Sequence, residues 1–170
     1  MKIIDKTTLD KHQKFWLDEA KNLVTSLSKF YGNITLDKIS QKFDDITDFE
    51  ANLLNTTNSL VRQISLSNSE NKFVYARTIV PKNTYQHFIQ ELENLGTKPI
   101  GDNLLFDKSK FARGEFIIRK LSAIEFQAET NQKASSDIYS RSSVFEYKNN
   151  AKLKFLITEY FLILPNQYEN

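Results

Sequence analysis

An α+β domain built on an antiparallel sheet with helices packed on it is predicted by three features of the sequence. "SLVRQISLS" and "KFVYARTIV" are strand-like runs joined by the polar turn "NSEN", which reads as a β-hairpin. "RSSVFEYK" and "AKLKFLITEYFLILP" form a second strand pair about a tight turn at Asn149 and Asn150. Helically spaced apolar residues precede and separate these pairs, the arrangement expected of helices laid on a sheet. With 170 residues the chain can bury a real core without staples, so residues 1–170 are expected to fold as a single domain.

The opening helix is read from "FWLDEAKNLVTSLSKFYG", where Trp16, Ala20, Leu23, Val24, Leu27 and Phe30 recur at helical spacing and Gly32 supplies a stop. Residues 34–58 fit either a short strand and loop or a second helix. After the first hairpin, "NTYQHFIQELENLG" reads as a helix capped by Asn83 or Thr84, with Phe88, Ile89, Leu92 and Leu95 on one face and Gly96 at its end. The turn "TKPIGD" leads to a short apolar segment and a strand around Glu115 to Leu121, and "QAETNQKASSD" is expected to be a flexible loop.

Composition excludes several function classes. There is no cysteine, which removes disulfides, thiol catalysis and cysteine-bound metal centres and fits a reducing compartment. Every apolar run is far shorter than the roughly 20 residues of a membrane span, and the first 20 residues lack a signal-peptide core. A net charge of +2, with scattered lysines, leaves no footprint for nucleic acid. The four glycines form no phosphate-cradling loop, and His12 and His87 have neither metal-ligand nor triad spacing. The arginines stand at positions 62, 77, 113, 119 and 141, in a chain whose basic residues are otherwise all lysine. Each is a candidate for a task lysine performs poorly, such as a bidentate grip on a carboxylate.

Three charges fall on apolar strand faces. Arg62 shares its face with Leu60, Ile64 and Leu66; Arg77 lies among Phe73, Tyr75 and Ile79; Glu159 interrupts the row Leu153, Phe155, Ile157, Phe161 and Ile163. If the first hairpin turns between Ser69 and Glu70, equal steps outward set Arg62 directly opposite Arg77. Two like charges so placed repel unless an anion lies between them. Glu159 bridging one or both arginines as a structural ion pair is the simplest account. Two arginines against one glutamate still leave positive charge, which a carboxylate-bearing small molecule would balance. Arg113 and Arg119 share a parity with Glu115 and fit a solvated strand face or the mouth of a pocket.

In order and spacing, "VRQISL", "ARTIVP", "LENLGTKPIGDNLLF" and "LITEYFLILP" resemble the chorismate lyase (chorismate pyruvate-lyase) family over about residues 59–106 and 141–165. The Lys- and Asn-rich composition looks like that of members encoded in red-algal plastid genomes, or of a cyanobacterial type. The resemblance implies a plastid stromal location if plastid-encoded and a cytoplasmic one otherwise. It implies an enclosed site under helical flaps, in a fold related to the ligand-binding domain of some bacterial transcription regulators. The implied reaction turns chorismate into 4-hydroxybenzoate and pyruvate for quinone biosynthesis, with no cofactor and no metal. The implied partner is this small-molecule substrate alone, and a monomer is expected.

Carried over by residue, Arg62 matches the arginine that grips the aromatic carboxylate, Glu159 the glutamate that faces the ring hydroxyl, and Arg77 a second arginine at the site. Ile100 takes the place of a leucine whose backbone amide helps hold the carboxylate, and Leu27 replaces a methionine on the first helix. Arg141 resembles a family arginine near the site. The region after Leu36 is shorter than in bacterial members and the stretch from Arg119 to Arg141 longer, differences that fall on the flaps. A sensor or carrier that binds an aromatic carboxylate without consuming chorismate is the alternative from another functional class.

Overall fold

The computed structural model describes residues 1–169. At its centre is an eight-stranded antiparallel sheet: β1 Lys2–Ile3, β2 Thr35–Asp44, β3 Ser59–Ser67, β4 Lys72–Pro81, β5 Phe111–Arg113, β6 Ile117–Leu121, β7 Ile138–Tyr147 and β8 Asn150–Phe161. The order is β1-β6-β7-β8-β4-β3-β2, with β5 beside β7. Both expected hairpins form, and β8 pairs with β4 from Val74↔Phe161 to Ile79↔Leu156, which sets them side by side. Six α-helices pack around the sheet: α1 Lys11–Lys14, α2 Leu23–Tyr31, α3 Asp48–Leu54, α4 Lys82–His87, α5 Ile89–Glu93 and α6 Ala123–Thr130.

The opening helix is not continuous. Phe15, Trp16 and Leu17 are consecutive and all buried, which no single face of a 3.6-residue helix can provide, and a wide π-helical turn at Phe15–Glu19 accommodates them. The chain then breaks, and Asn22 restarts it as α2 by accepting from the Thr25 N–H at 3.1 Å. The ambiguous residues 34–58 hold both a strand and a helix. β2 is a mostly exposed edge strand, so alternation in it is weak. α3 opens with a capping box in which Thr47 and Glu50 serve each other's backbone N–H. The expected helix from Asn83 begins at Lys82 and is split at Phe88, whose ring packs against Phe111 and Phe155. The expected loop at 127–137 is in its first part the end of α6, which has its own capping box at Ser122 and Glu125.

The register of the first hairpin departs from the symmetrical count. Next to the turn, Ser67 does pair with Lys72, but Leu66 pairs with Val74, so Phe73 is an extra residue in β4. Beyond this bulge every pairing is offset by one: Arg62 lies opposite Thr78, and Arg77 opposite Gln63. Because side chains alternate, that single step sends Arg62 and Arg77 to opposite faces of the sheet. Both Phe73 and Val74 join the core cluster that contains Trp16, Leu27, Phe116 and Phe161.

Each face is covered separately. The face carrying Arg62 and Glu159 meets residues 15–31 through that cluster. It meets α4 and α5 through a second one containing Leu60, Val80, Phe88, Leu92 and Phe155. On the other face, α3 contributes Leu54 against Val61, Ile79 and Leu156, and α6 contributes Phe126 against Tyr75 and Tyr160. Here Arg77 donates to both carboxylate oxygens of Glu50, at 2.9 and 2.8 Å, and the pair is almost wholly buried. Burial lowers the Arg77 pKa, but the hydrogen bonds and charge of Glu50 outweigh it and the net shift is upward. Removing one member strands the other: Glu50→Ala is expected to destabilise the fold by about 3–5 kcal/mol, read from chemical denaturation. Replacing both with apolar residues should recover most of that loss.

Candidate active site

A narrow pocket lies between the Arg62 face of the sheet and the chain above it. Its floor includes Arg62, Ile64, Thr78, Ile157 and Glu159, and its roof Leu23, Val24, Ile100 and Phe106. It offers about 60 Å³ to solvent-sized occupants, so the roof must part to admit a ring-sized ligand. The two halves of the roof are tied where Asn22 donates to Asp102 at 2.7 Å. Gly101 gives Phe106 its place, because a Cβ there would come within 2.3 Å of the Phe106 ring.

Arg62 is 2 % exposed and rigidly held. Nη1 donates to Gln41 Oε1 at 2.9 Å, and Nη2 to the carbonyls of Gly96 and Lys98 at 3.0 and 3.1 Å. Thus the edge strand β2 and the turn after α5 position it. All three acceptors are neutral, which leaves its charge unbalanced by any carboxylate among the described residues. Burial lowers its pKa. Nε and the second Nη1 hydrogen remain for a ligand. Ile100 stands immediately before the π-helical turn Gly101–Leu105, so its amide has no intrahelical acceptor.

Glu159 comes from β8 and pairs with neither Arg62 nor Arg77. Its partner is Arg141 of β7, directly opposite, with Nε donating to Oε1 at 2.8 Å. Arg141 is fully buried; its Nη1 donates to the Trp16 and Ala20 carbonyls at 2.9 and 2.6 Å, and the guanidinium lies 4.1 Å from the Phe116 ring centre. Its Nη2 is buried with no partner among the described residues. The contact is therefore single where Arg77–Glu50 is double, leaving one Glu159 oxygen unused by the pair. Arg119, expected on a solvated strand face or at the mouth of the pocket, is instead buried on the far side of the sheet, donating to Glu129 at 2.8 and 3.2 Å.

Of the five residues singled out from sequence, three meet here: Arg62, Glu159 and Ile100. Arg77 is absent from the pocket because the Phe73 bulge turns it to the other face, where Glu50 saturates it. Leu27 is absent because the break before α2 brings Leu23 and Val24 over the pocket and directs Leu27 into the core with Trp16. Gln41 and the Glu159 partnership of Arg141 were not legible beforehand. Gln41 sits in the weakly patterned edge strand, and Arg141 meets Glu159 only once the β7–β8 register is fixed.

A family model described as chorismate lyase matches residues 5–170. The chain belongs to the chorismate lyase family. A Coxiella burnetii protein named as a probable chorismate pyruvate-lyase is 27% identical, covering 98% of this chain and 93% of its own. A similarly named protein of Pseudoalteromonas atlantica is 28% identical over 89% of this chain and 79% of its own. The fold extends beyond this enzyme family. The ligand-binding domain of a GntR-family regulator from Bordetella bronchiseptica matches with a TM-score of 0.56 at 12% identity, covering 82% of this chain and 90% of that one. The effector domain of PhnF from Mycobacterium smegmatis matches with a TM-score of 0.52 at 12% identity, over 82% and 88%. At such identity these two establish the architecture alone.

In this chorismate lyase family member the roof packs too closely to absorb another methyl group. Gly101→Ala is expected to cost about 1–3 kcal/mol in denaturation experiments, because Phe106 must leave its position.

Proposed function

We propose that the protein is a chorismate pyruvate-lyase, converting chorismate to 4-hydroxybenzoate and pyruvate. The observation that carries this reading is the placement of Arg62, a buried arginine without a carboxylate partner among the described residues, in the same apolar-walled pocket as Glu159. With the roof parted, an aromatic acid would lie with its carboxylate at Arg62 and its far end at Glu159.

The reaction breaks the C3–O bond to the enolpyruvyl arm and removes the C4 proton, and the electron pair completes the aromatic ring. The departing enolpyruvate takes up a proton at oxygen and tautomerises to pyruvate. Aromatisation drives the step, so the protein's contribution is positioning and electrostatic stabilisation. Arg62 fixes the ring carboxylate through its unused N–H groups. The free Glu159 oxygen serves the C4 end of the ring, where the hydroxyl and the leaving proton are. Arg141 holds Glu159 in orientation and offers positive charge beside the departing oxygen. The product would enter quinone biosynthesis, in the plastid stroma if the Lys- and Asn-rich composition reflects plastid coding.

The test is to incubate the protein with chorismate and follow both products, single-turnover amounts included. Equal yields of 4-hydroxybenzoate and pyruvate are expected. Arg62→Lys and Glu159→Gln should each lose about 100-fold or more in turnover with the fold retained, since lysine lacks the planar fork and glutamine cannot ionise. Full turnover in both variants would overturn the assignments. Likeness to regulator ligand-binding domains supports the second reading, a sensor or carrier; chorismate that survives while 4-hydroxybenzoate binds would establish it.

A further inference from the structure

The fold contains five arginines, and the substrate proposed for it carries two carboxylates. Three arginines are paired with glutamates: Arg77 with Glu50, Arg119 with Glu129 and Arg141 with Glu159. Two have no carboxylate partner among the described residues, Arg62 in the pocket and Arg113 at the end of β5. Arg113 is held firmly all the same. Nε donates to Ser143 Oγ at 3.2 Å and Nη1 to the Lys21 carbonyl at 2.7 Å. The guanidinium sits 4.5, 4.9 and 5.2 Å from the ring centres of Phe116, Phe145 and Phe106. Nη2 makes no hydrogen bond among the described residues. Burial lowers the Arg113 pKa to about 10, while the charge of Glu159 acts to raise it and that of Arg141 to lower it. A desolvated cation without an anion is costly, and an arriving carboxylate relieves the cost.

The surroundings match that need. Arg113 lines an open groove with aromatic walls, whose lining also includes Lys21, Lys108 and Lys148 and one acidic residue, Glu115. The groove meets the pocket at Asn22 and Phe106, which line both. We propose that Arg113 receives the second carboxylate of the substrate, the one on the enolpyruvyl arm, and that this groove is the route by which pyruvate leaves. The inference rests on the chorismate reading above. With the ring carboxylate at Arg62 and C4 at Glu159, the arm on the adjacent C3 lies on the Glu159 side of the ring. Arg113 and Arg141, the partner of Glu159, lie 4.5 and 4.1 Å from the centre of the same Phe116 ring, which places Arg113 on that side. When the C3–O bond breaks, the pair leaves on the enolpyruvate oxygen, which is protonated and ketonises. The carboxylate on Arg113 is then that of a small, mobile monoanion beside a solvent-open, positively rimmed groove, while 4-hydroxybenzoate keeps its hold on Arg62.

The test compares a dianion with a monoanion. Binding of chorismate and of 4-hydroxybenzoate is measured by calorimetry, beside turnover, for the wild type, Arg113→Met and Arg113→Lys. Arg113→Met is expected to weaken chorismate about 10- to 100-fold, in Kd and in KM, while leaving 4-hydroxybenzoate within about twofold. Arg113→Lys should recover part of the chorismate loss, and it supplies the measurement if the methionine variant does not fold. A merely structural role would shift both ligands together, and that result, or unchanged chorismate binding, overturns the proposal. If the wild type binds chorismate without consuming it, the lyase reading fails, and the same comparison of affinities still decides the role of Arg113. If the wild type binds neither ligand, both readings fall.

Discussion

Phe73, the extra residue in β4, decides that Arg62 and Arg77 face opposite sides of the sheet. A bulge costs one ladder pairing and gains a one-residue offset, and with a side-chain period of two that offset exchanges the faces of everything beyond it. Without it, Arg62 and Arg77 would stand together and compete for one anion. With it, Arg77 meets Glu50 under α3, and Arg62 is left alone with its charge in the pocket. The bulge is stabilised by what it allows to be buried, since Phe73 and Val74 both enter the core around Trp16.

The two faces then treat charge differently. On the far side the ion pairs are closed: Arg77 and Arg119 each bond both oxygens of a glutamate, and Tyr160 also donates to Glu129 at 2.7 Å. Such pairs are weak sources of net stability but expensive to break, which makes them fixtures of the scaffold. On the pocket side Arg62 and Arg113 are anchored only by neutral acceptors, and Arg141 uses half of its fork on Glu159. Preorganised donors without an anion are what a binding site for a carboxylate requires, because their orientation is fixed before the ligand arrives. Membership of the chorismate lyase family and likeness to regulator ligand-binding domains are compatible for the same reason. The sheet supplies a covered pocket, and the chemistry depends on which charges line it.

Much of the fold was legible in the sequence. Both hairpins, the antiparallel sheet and the existence of helices before and between them follow from apolar period and turn residues, which are local signals. The misread elements have separate causes. The opening helix breaks because three successive aromatic or aliphatic side chains must all be buried, and the end of α6 falls within the expected loop because residues 127–130 are mostly polar. β2 gave little signal because an exposed edge strand has no need to alternate.

The sequence by itself determined that Arg62 and Glu159 belong to buried strand faces, because their apolar neighbours at two-residue spacing leave no solvent side for the charge. It also determined the family, through motifs whose order and spacing survive without reference to contacts. Only the tertiary structure decided the partners. In both hairpins the pairing slips near the turn, between Leu66 and Ser67 in one and between Glu146 and Tyr147 in the other. Turn position alone therefore predicts the wrong face for Arg77 and does not reveal Arg141 beneath Glu159. Which arginine meets which carboxylate is a property of register, and register is set by how the whole sheet packs against its helices.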